Sequence, residues 1–369
     1  MSVDISFMIK LTFIGDIFPA DELFTCGFGI KSKTNEENVR RWTKNVTEIV
    51  GEADYIIGNL ESPLLDDKDA AKTTFYGKPI FADVLKDSGI NVLNIANNHI
   101  TEHGAEGFQN TVTTLRKKGL LLLGEVENGQ SGILSIRQEG TTICMSAFCD
   151  ERICSVDNPS CFASLTEDKV MATLERMKDM YPDVIIFVFH WGNEYVHLPS
   201  PDQRRLAKKL IDEGANLVVG HHPHVVLPFE RYHGGYIIYS LGNFCFDDVQ
   251  SDHFGIGMMA HINIQNKAID DISFSGLLVQ DMAFCDDLVK PMNKKDFDGY
   301  FSQIIDNYDQ LQQLSEEAYR DVYTKAFIRE HKKERINMRM NLLKKVIDLR
   351  HQHKTQLIKN IKNYILKQE

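Results

Sequence analysis

Apolar and polar residues alternate over the first 290 positions in blocks that predict strands and helices in turn. Short apolar runs of strand length are followed by segments in which apolar residues recur at helical spacing, which is typical of layered α/β folds. The run DVIIFVF at 183–189 is apolar almost throughout, as expected for a strand buried on both faces. The predicted strands cover 10–15, 55–58, 91–96, 120–123, 141–148, 183–189 and 216–219, and the predicted helices cover 104–118, 167–180 and 201–213.

Four later apolar runs, at 225–231, 236–240, 256–264 and 272–279, predict a series of mostly antiparallel strands. From about residue 296 the pattern becomes helical, and residues 320–367 contain neither Pro nor Gly. We therefore predict an α/β domain with a mixed sheet or sheets over residues 8–290. A helical, basic extension over 291–369 would pack on this body or on a second subunit, which would make a homo-oligomer.

Charge is distributed unevenly between these two parts. The chain has 41 basic and 52 acidic residues, a net charge of −11. Residues 320–369 contain 14 basic and 5 acidic residues, a net of +9, which leaves 27 basic and 47 acidic residues, a net of −20, for the rest. The acidic body argues against nucleic-acid binding. The basic tail could bind an acidic partner, a membrane surface or its own body, and a solvated helix face is the simplest interpretation.

Features of export are absent from the sequence. No apolar run approaches the roughly 20 residues that span a bilayer, and the first ten residues lack a basic segment followed by a long apolar stretch. The seven cysteines include no CxxC pair, and the spacing of Cys149, Cys154 and Cys161 fits no zinc motif. We therefore predict reduced thiols, no transmembrane segment and a cytoplasmic location.

Polar residues cluster where the predicted strands end. These residues are Asp16, Asn59, Asn98, His99, His190, His222 and His224. The carboxyl ends of strands in layered α/β folds converge on one edge, where ligands bind. Oxygen and imidazole groups together suit Mn, Fe, Zn or Co better than Mg or Ca.

Each of these residues alone has a structural explanation. Asp16 could cap a turn, Asn97 and Asn98 could adopt left-handed turn conformations, and His190 could be a core histidine. Three histidines between 221 and 224, directly after a buried strand, favour a functional site instead.

Six ordered motifs carry a family resemblance. They are GD at 15–16, GNLESP at 58–63, ANNH at 96–99, HWGNEY at 190–195, GHHPHV at 220–225 and YSLGNF at 239–244. In order and in residue identity these motifs resemble the CapA (poly-γ-glutamate capsule synthesis) family over about residues 10–280. That family in turn is similar to the calcineurin-like metallophosphoesterases. The resemblance implies a four-layer α-β-β-α sandwich of metallophosphatase type, followed here by a helical C-terminal appendage.

The resemblance also implies roles for individual residues. Metal ligation would fall to Asp16, Asn59, Asn98, His190, His222 and His224, with His221 able to replace His222 by a one-residue shift. His99 could protonate a leaving group, and Glu61 or Glu194 could act as base. The candidate substrate contacts are Asn97, Trp191, Tyr195 and Asn243.

Two motifs depart from the metallophosphoesterase pattern. Phe18 stands where the first motif of that superfamily has a histidine, and Asn59-Leu60-Glu61 stands where it has a bridging aspartate. Because a bridge between cations needs a carboxylate, only Glu61 could serve. The sequence therefore leaves one divalent ion (Mn, Fe or Zn), a rearranged pair or no metal open.

Three functions are compatible with this site. The first is metal-dependent hydrolysis of a phosphoester or of an amide such as poly-γ-glutamate. The second is a metal-independent acid–base enzyme in the same pocket, similar to a peptide epimerase. The third is a non-catalytic binding or accessory role in capsule or polymer synthesis. The substrate would be a small molecule, a peptide or an anionic polymer.

Overall fold

The computed structural model describes residues 8–154, 160–247, 255–348 and 351–366. The strands are β1 (Met8–Phe18), β2 (Tyr55–Leu60), β3 (Ile90–Asn94), β4 (Leu121–Leu123), β5 (Val126–Glu127), β6 (Gln130–Ser131), β7 (Leu134–Gln138), β8 (Thr141–Cys149), β9 (Val184–His190), β10 (Leu217–His221), β11 (Phe229–Tyr232), β12 (Gly235–Ile238), β13 (Asn243–Phe246), β14 (Ile256–Gln265), β15 (Ala268–Val279) and β16 (Val289–Pro291). The helices are α1 (Ile30–Lys33), α2 (Glu36–Val50), α3 (Phe81–Asp87), α4 (Gly104–Lys117), α5 (Glu167–Lys178), α6 (Pro201–Asp212), α7 (Lys294–Gln312), α8 (Glu316–Asp348) and α9 (His351–Leu366), with a 3₁₀ turn at Glu151–Ile153.

The strands form two large sheets and one small hairpin, β5–β6. The first sheet has the order β16-β15-β14-β1-β2-β3-β4, and β13 pairs with β1 as well. Its strands β1 to β4 are parallel. The second sheet has the order β11-β12-β10-β9-β8-β7, in which β8, β9, β10 and β12 are parallel. Within each sheet, the carboxyl ends of these central strands therefore lie at one edge.

Three apolar clusters show how the layers stack. The central cluster joins the facing sides of the two sheets and includes Phe13, Ile57, Val92, Met145, Val188 and Val219. A second cluster covers the outer side of the first sheet with α2, α3 and α4 through Trp42, Phe81 and Phe108. The third covers the outer side of the second sheet with α5 and α6 through Leu174 and Leu206. The molecule is an α-β-β-α sandwich with a helical C-terminal region, which confirms the predicted fold class.

The strands after residue 225 are less uniformly antiparallel than the sequence predicts. Strands β14 and β15 are antiparallel, but β12 runs parallel to β10 and β13 runs parallel to β1. The chain leaves the second sheet after β12 and enters the first at β13, with Gly242 at a φ of +68° between them. This crossing brings Asn243 into register with Asp16.

The C-terminal helices pack on the sandwich at several points. Phe297 of α7 joins the central cluster, and the Tyr308 hydroxyl donates a hydrogen bond to Glu230 Oε2 at 2.9 Å. In α8 the Tyr319 hydroxyl donates to the Pro199 carbonyl at 2.7 Å. Leu357 of α9 packs in a cluster with residues near the start of the chain. The division of the chain at residue 290 and its assembly into a homo-oligomer stay predictions.

Over the part of the chain that the structure describes, no helix combines the length and the apolarity needed to cross a bilayer.

A close backbone contact fixes β1 at the point where the GD motif lies. A Cβ atom added to Gly15 would lie 2.1 Å from the Gly242 carbonyl oxygen. Because that oxygen belongs to the backbone, it cannot move aside, and we expect Gly15→Ala to lower the free energy of unfolding by about 3 kcal/mol. Chemical denaturation measures this loss. Gly299→Ala in α7 is the control, since its Cβ would meet nothing within 4 Å. The control should be neutral or slightly stabilising, and equal losses in both variants would refute the contact.

A candidate metal centre

The polar motif residues meet where the two sheets face each other. Asp16 in β1 is in register with Asn59 in β2, and Asn59 with Asn94 in β3. In the second sheet His190 at the end of β9 is in register with His221 at the end of β10. Because the two sheets present these carboxyl ends together, residues far apart in the chain form one buried cluster.

The loop after β10 reaches the site through a constrained backbone. A Cβ atom on Gly220 would lie 2.0 Å from the Tyr239 carbonyl oxygen, so only glycine fits there. His222 and His224 then adopt φ values of +94° and +57°. Left-handed conformations are costly for such side chains and are typical of functional sites. The strained turn directs the His222 backbone amide to Asp16 Oδ2, at 3.2 Å.

Asp16 is the most heavily hydrogen-bonded carboxylate of the cluster. Its Oδ1 accepts a hydrogen bond from Asn59 Nδ2 at 2.8 Å and lies 3.0 Å from His221 Nδ1. Its Oδ2 lies 3.4 Å from His224 Nδ1. Burial alone would raise the pKa of Asp16, but the contacts with the two histidines outweigh burial and hold this pKa well below its usual value. Asp16 is therefore ionised at neutral pH.

Glu61 has the opposite electrostatic character. It is fully buried, and burial together with the charge of Asp16 raises its pKa well above the usual value. Its Oε1 lies 3.3 Å from His190 Nε2 and 3.9 Å from His224 Nε2. Among the described residues this oxygen has no hydrogen-bond partner. A buried carboxylate oxygen that faces imidazoles without a proton donor is suited to a cation.

Three groups of side chains have ligand atoms within 4.8 Å of one another. They are Glu61, His190 and His222; Asp16, Glu61 and His224; and Glu194, His222 and His224. Burial lowers the pKa of His190 well below its usual value and that of His222 to about 4, so both imidazoles are neutral at pH 7 and able to ligate. The carboxylate and imidazole donors fit a divalent ion, and Glu61 belongs to two of the groups.

Asn98 lies beside the first of these groups. Its Oδ1 is 2.8 Å from His190 Nε2. The structure therefore brings together five of the six predicted metal ligands, each with a side-chain atom that could face an ion. They are Asp16, Asn98, His190, His222 and His224.

Asn59, the sixth predicted ligand, has a different position. Its Oδ1 accepts hydrogen bonds from the amides of Asn94 and Asn97, at 2.9 and 3.3 Å. The amide nitrogen must then face the cluster, where it donates to Asp16 and lies 3.2 Å from His190 Nδ1. An amide nitrogen with its protons does not ligate a cation. In this orientation Asn59 contacts Asp16 and His190, and its role as a metal ligand stays a prediction.

His99 lies at the edge of the cluster and is held by a carboxylate. Its Nδ1 is 2.8 Å from Glu102 Oε1, and Glu102 also pairs with Lys72. The His99 ring stacks on Phe75 with the centroids 5.4 Å apart and meets Phe18 edge-on. Phe18, which replaces a histidine of the metallophosphoesterase pattern, thus forms an apolar wall next to His99.

Glu194, the other predicted base, is ionised. Burial alone would raise its pKa, but the electrostatic interactions with the neighbouring imidazoles of His222, His224 and His99 outweigh burial and lower it.

The predicted substrate contacts separate into two kinds. Tyr195 lies near the site, with its ring centroid 6.2 Å from that of His224. Asn243 Oδ1 lies 2.9 Å from His224 Nδ1, so this residue orients a ligand histidine.

Asn97 and Trp191 make hydrogen bonds within the fold, and Asn97 also contacts Asn59. The Asn97 amide donates to the Leu60 carbonyl at 2.7 Å and accepts from the Ile100 amide, so it fixes the loop after β3. The Trp191 ring stacks on Phe189 at 4.5 Å, and its Nε1 donates to the Tyr239 carbonyl. Both side chains support the fold around the site, and their contact with substrate stays a prediction.

Three supporting residues were not predicted in their roles. His221 was considered only as a replacement for His222, yet it hydrogen-bonds Asp16. Asn94 orients the Asn59 amide, and a polar residue at the end of the apolar segment NVLN was the available signal. Glu102 stands three residues after His99, a spacing typical of contacts within one turn of chain.

Comparisons with known proteins give consistent results. A family model described as "Bacterial capsule synthesis protein PGA_cap" matches residues 10–248. The capsule biosynthesis protein CapA of Bacillus anthracis is 32% identical over 254 residues, which cover 65% of this chain and 60% of that protein. The PGA biosynthesis protein CapA of Bacillus subtilis (strain 168) is 30% identical over 251 residues, covering 65% and 64%. The chain thus matches less than two thirds of the length of either relative.

Among solved structures, the calcineurin-like phosphoesterase YfkN from Bacillus subtilis aligns with a TM-score of 0.43 and 12% identity. The alignment covers 73% of this chain and 90% of that chain.

The Glu102 carboxylate should stabilise the loop that carries His99 in a pH-dependent way. Burial opposes its ionisation, but the hydrogen bonds with His99 and Lys72 lower the pKa of Glu102 to about 2. Its unfolded value is about 4.3, so its contribution is complete above that pH and is lost as the pH falls toward 2. We expect Glu102→Gln to lower the free energy of unfolding by about 1–2 kcal/mol at neutral pH. The loss should shrink steadily in urea titrations toward about pH 3.

Glu48→Gln is the matched control for this variant. Glu48 pairs with Lys44 on the exposed side of α2, with 3.9 Å between the charged atoms. Its removal should change stability by less than about 0.5 kcal/mol. A loss in Glu102→Gln that is the same at all pH values would contradict an ionised role for Glu102.

Proposed function

The chain belongs to the family of bacterial capsule synthesis proteins, and we propose that it is a metal-dependent hydrolase within that family. Its substrate would be a phosphoester or an amide such as a γ-linked glutamyl bond. The two relatives described above are named for capsule and PGA biosynthesis. By this proposal the reaction serves the synthesis or handling of such a polymer.

The unpartnered Oε1 of Glu61 is the observation that carries the proposal. This oxygen is buried beside an ionised Asp16, and no described residue donates a hydrogen bond to it. Two carboxylates in one dry pocket repel each other unless a cation or a proton compensates. Protons can provide this compensation, because burial and Asp16 raise the pKa of Glu61, and Glu61 and Asp16 outweigh burial and raise the pKa of His224 well above its usual value. By this proposal a divalent ion takes the place of these protons, with the neutral imidazoles of His190 and His222 among its ligands.

Two of the three ligand groups share Glu61, which therefore could bridge two ions. The first group, Glu61 with His190 and His222, would hold one ion with help from Asn98. Asp16 and His224 would complete the second. Mixed imidazole and carboxylate donors favour Mn, Fe or Zn. A bound ion of this kind polarises the substrate and lowers the pKa of a coordinated water to about 7.

The chain's own residues supply the proton transfers. His99, oriented by Glu102, stands at the edge of the cluster and is placed to protonate a leaving group. Glu194 is ionised at neutral pH and can accept a proton. Esters of phosphate and γ-glutamyl amides both need a protonated leaving group, so the same pair of residues suits either substrate.

The state of the cysteines bears on the compartment in which this reaction would take place. All seven are free thiols. Free thiols persist most readily in a reducing compartment. We therefore place the proposed activity in the cytoplasm.

Metal content tests the site directly. Tag-free protein purified without chelator should contain about one or two equivalents of Mn, Fe or Zn by elemental analysis. Glu61→Gln and His190→Ala should each lower the affinity by about tenfold or more. His261→Ala is the matched control, because His261 in β14 contacts Thr12 and Ser275 outside the site. A folded wild-type protein that stays metal-free after reconstitution would refute the proposal.

Turnover tests the reaction. With added Mn, a panel of phosphomonoesters, phosphodiesters and γ-glutamyl peptides should contain a substrate that the wild type cleaves. His99→Gln should lower kcat by about a hundredfold or more without changing metal content. His233→Gln serves as control, since His233 pairs with Asp212 at 2.7 Å on the surface in a similar histidine–carboxylate contact. Flat traces from metal-replete wild type would exclude hydrolysis of these substrates and favour a non-catalytic role.

A further inference from the structure

The second half of α8 is apolar on two sides, and only one of them is covered. Met338, Leu342 and Val346 pack in the cluster that also contains Phe24 and Phe28 near the start of the chain. This cluster includes Leu357 of α9 and holds α8 and α9 to the body. The residues of this buried side are four apart, as one face of a helix requires.

Four other large apolar residues form a second stripe that faces outward. Ile336, Met340, Leu343 and Ile347 are 55, 60, 60 and 67% exposed. Their spacing of four, three and four residues places them on one helical face. At 1.5 Å per residue the stripe is about 17 Å long. Single exposed apolar residues are common, but a continuous stripe of four marks an interaction surface.

Among the described side chains between residues 329 and 347, the exposed charges are all positive. Lys332, Arg335 and Arg339 are exposed on the same segment of α8. The acidic residues between 329 and 347 are Glu330 and Glu334, and both are largely buried on the opposite side. An outward face that combines large apolar side chains with cations is typical of helices that lie on anionic membranes.

We propose that this face of α8 docks onto the surface of an anionic phospholipid bilayer. The stripe would enter the boundary between headgroups and acyl chains, while the flanking cations contact the lipid phosphates. A second copy of the chain is a poorer occupant, because pairing two such faces would bring their cations together. The surface lies outside residues 10–248, so it belongs to this chain's own extension and not to the part that matches the family.

The net charges of the two parts of the chain favour one orientation of the protein on the bilayer. Residues 320–369 have a net charge of +9, whereas the remaining residues have −20. An anionic surface attracts the first and repels the second. The protein would therefore sit with its helical extension on the lipid and its body turned away.

Vesicle flotation of the full-length protein tests the proposal. At low salt the protein should float with phosphatidylcholine vesicles that contain about 30% phosphatidylglycerol and should stay behind with phosphatidylcholine alone. The double variant Met340→Ser/Leu343→Ser should reduce the bound fraction about tenfold. Arg335→Gln/Arg339→Gln should reduce it and weaken its dependence on salt. All four residues are exposed, so unchanged circular dichroism is expected.

Tyr181→Ser is the matched control, since Tyr181 is 89% exposed between α5 and β9 and lies outside the stripe. It should bind vesicles like the wild type. Absence of binding to the anionic vesicles, or equal binding by the stripe variant, would overturn the proposal. Sedimentation in the absence of lipid tests for the competing occupant, a second copy of the chain. A dimer that the stripe variant dissociates, together with no vesicle binding, would overturn the proposal in favour of that second copy.

Discussion

Two carboxylates, Asp16 and Glu61, share one buried pocket between the sheets, and much of the surrounding structure controls their charge. Each belongs to a different strand or strand end of the first sheet, and the histidines that face them come from the second. Because charges in a dry interior interact strongly, the pair is tolerable only with fixed hydrogen bonds and a compensating positive charge. The amide of Asn59 connects Asp16 to His190, and the neutral imidazoles keep the pocket open to a cation.

The fold and the main site residues could be predicted because their signals are local. Strand-length apolar runs with polar residues at their ends located Asp16, His190 and His222 correctly at one edge. Helix α6 could also be predicted from a local signal, since Ser200 and Gln203 form a capping box and Pro201 occupies the first turn. Such features need no knowledge of the rest of the chain.

The remaining roles depend on contacts that no short segment contains. The orientation of the Asn59 amide depends on Asn94 and Asn97, which contact its oxygen from another strand and loop. Trp191 directly follows His190, yet its contacts are with Phe189 and the Tyr239 carbonyl. The path from β12 to β13 likewise follows from a turn at Gly242 that pairs distant strands. These features depend on tertiary contacts, which the spacing of apolar residues along the sequence does not predict.

The contact between Asp16 and His221 spans 205 residues of sequence. Strand β1 also pairs with β13, where Asp16 is in register with Asn243. This pairing cannot form until β13 has been synthesised. Contacts of such long sequence separation form late, after many loops have closed. On the ribosome, where the N-terminal part emerges first, the first ligand of the centre is made long before its partners exist. Nascent chains therefore carry an incomplete pocket for most of their synthesis, and a metal could be held there only after the completed chain closes.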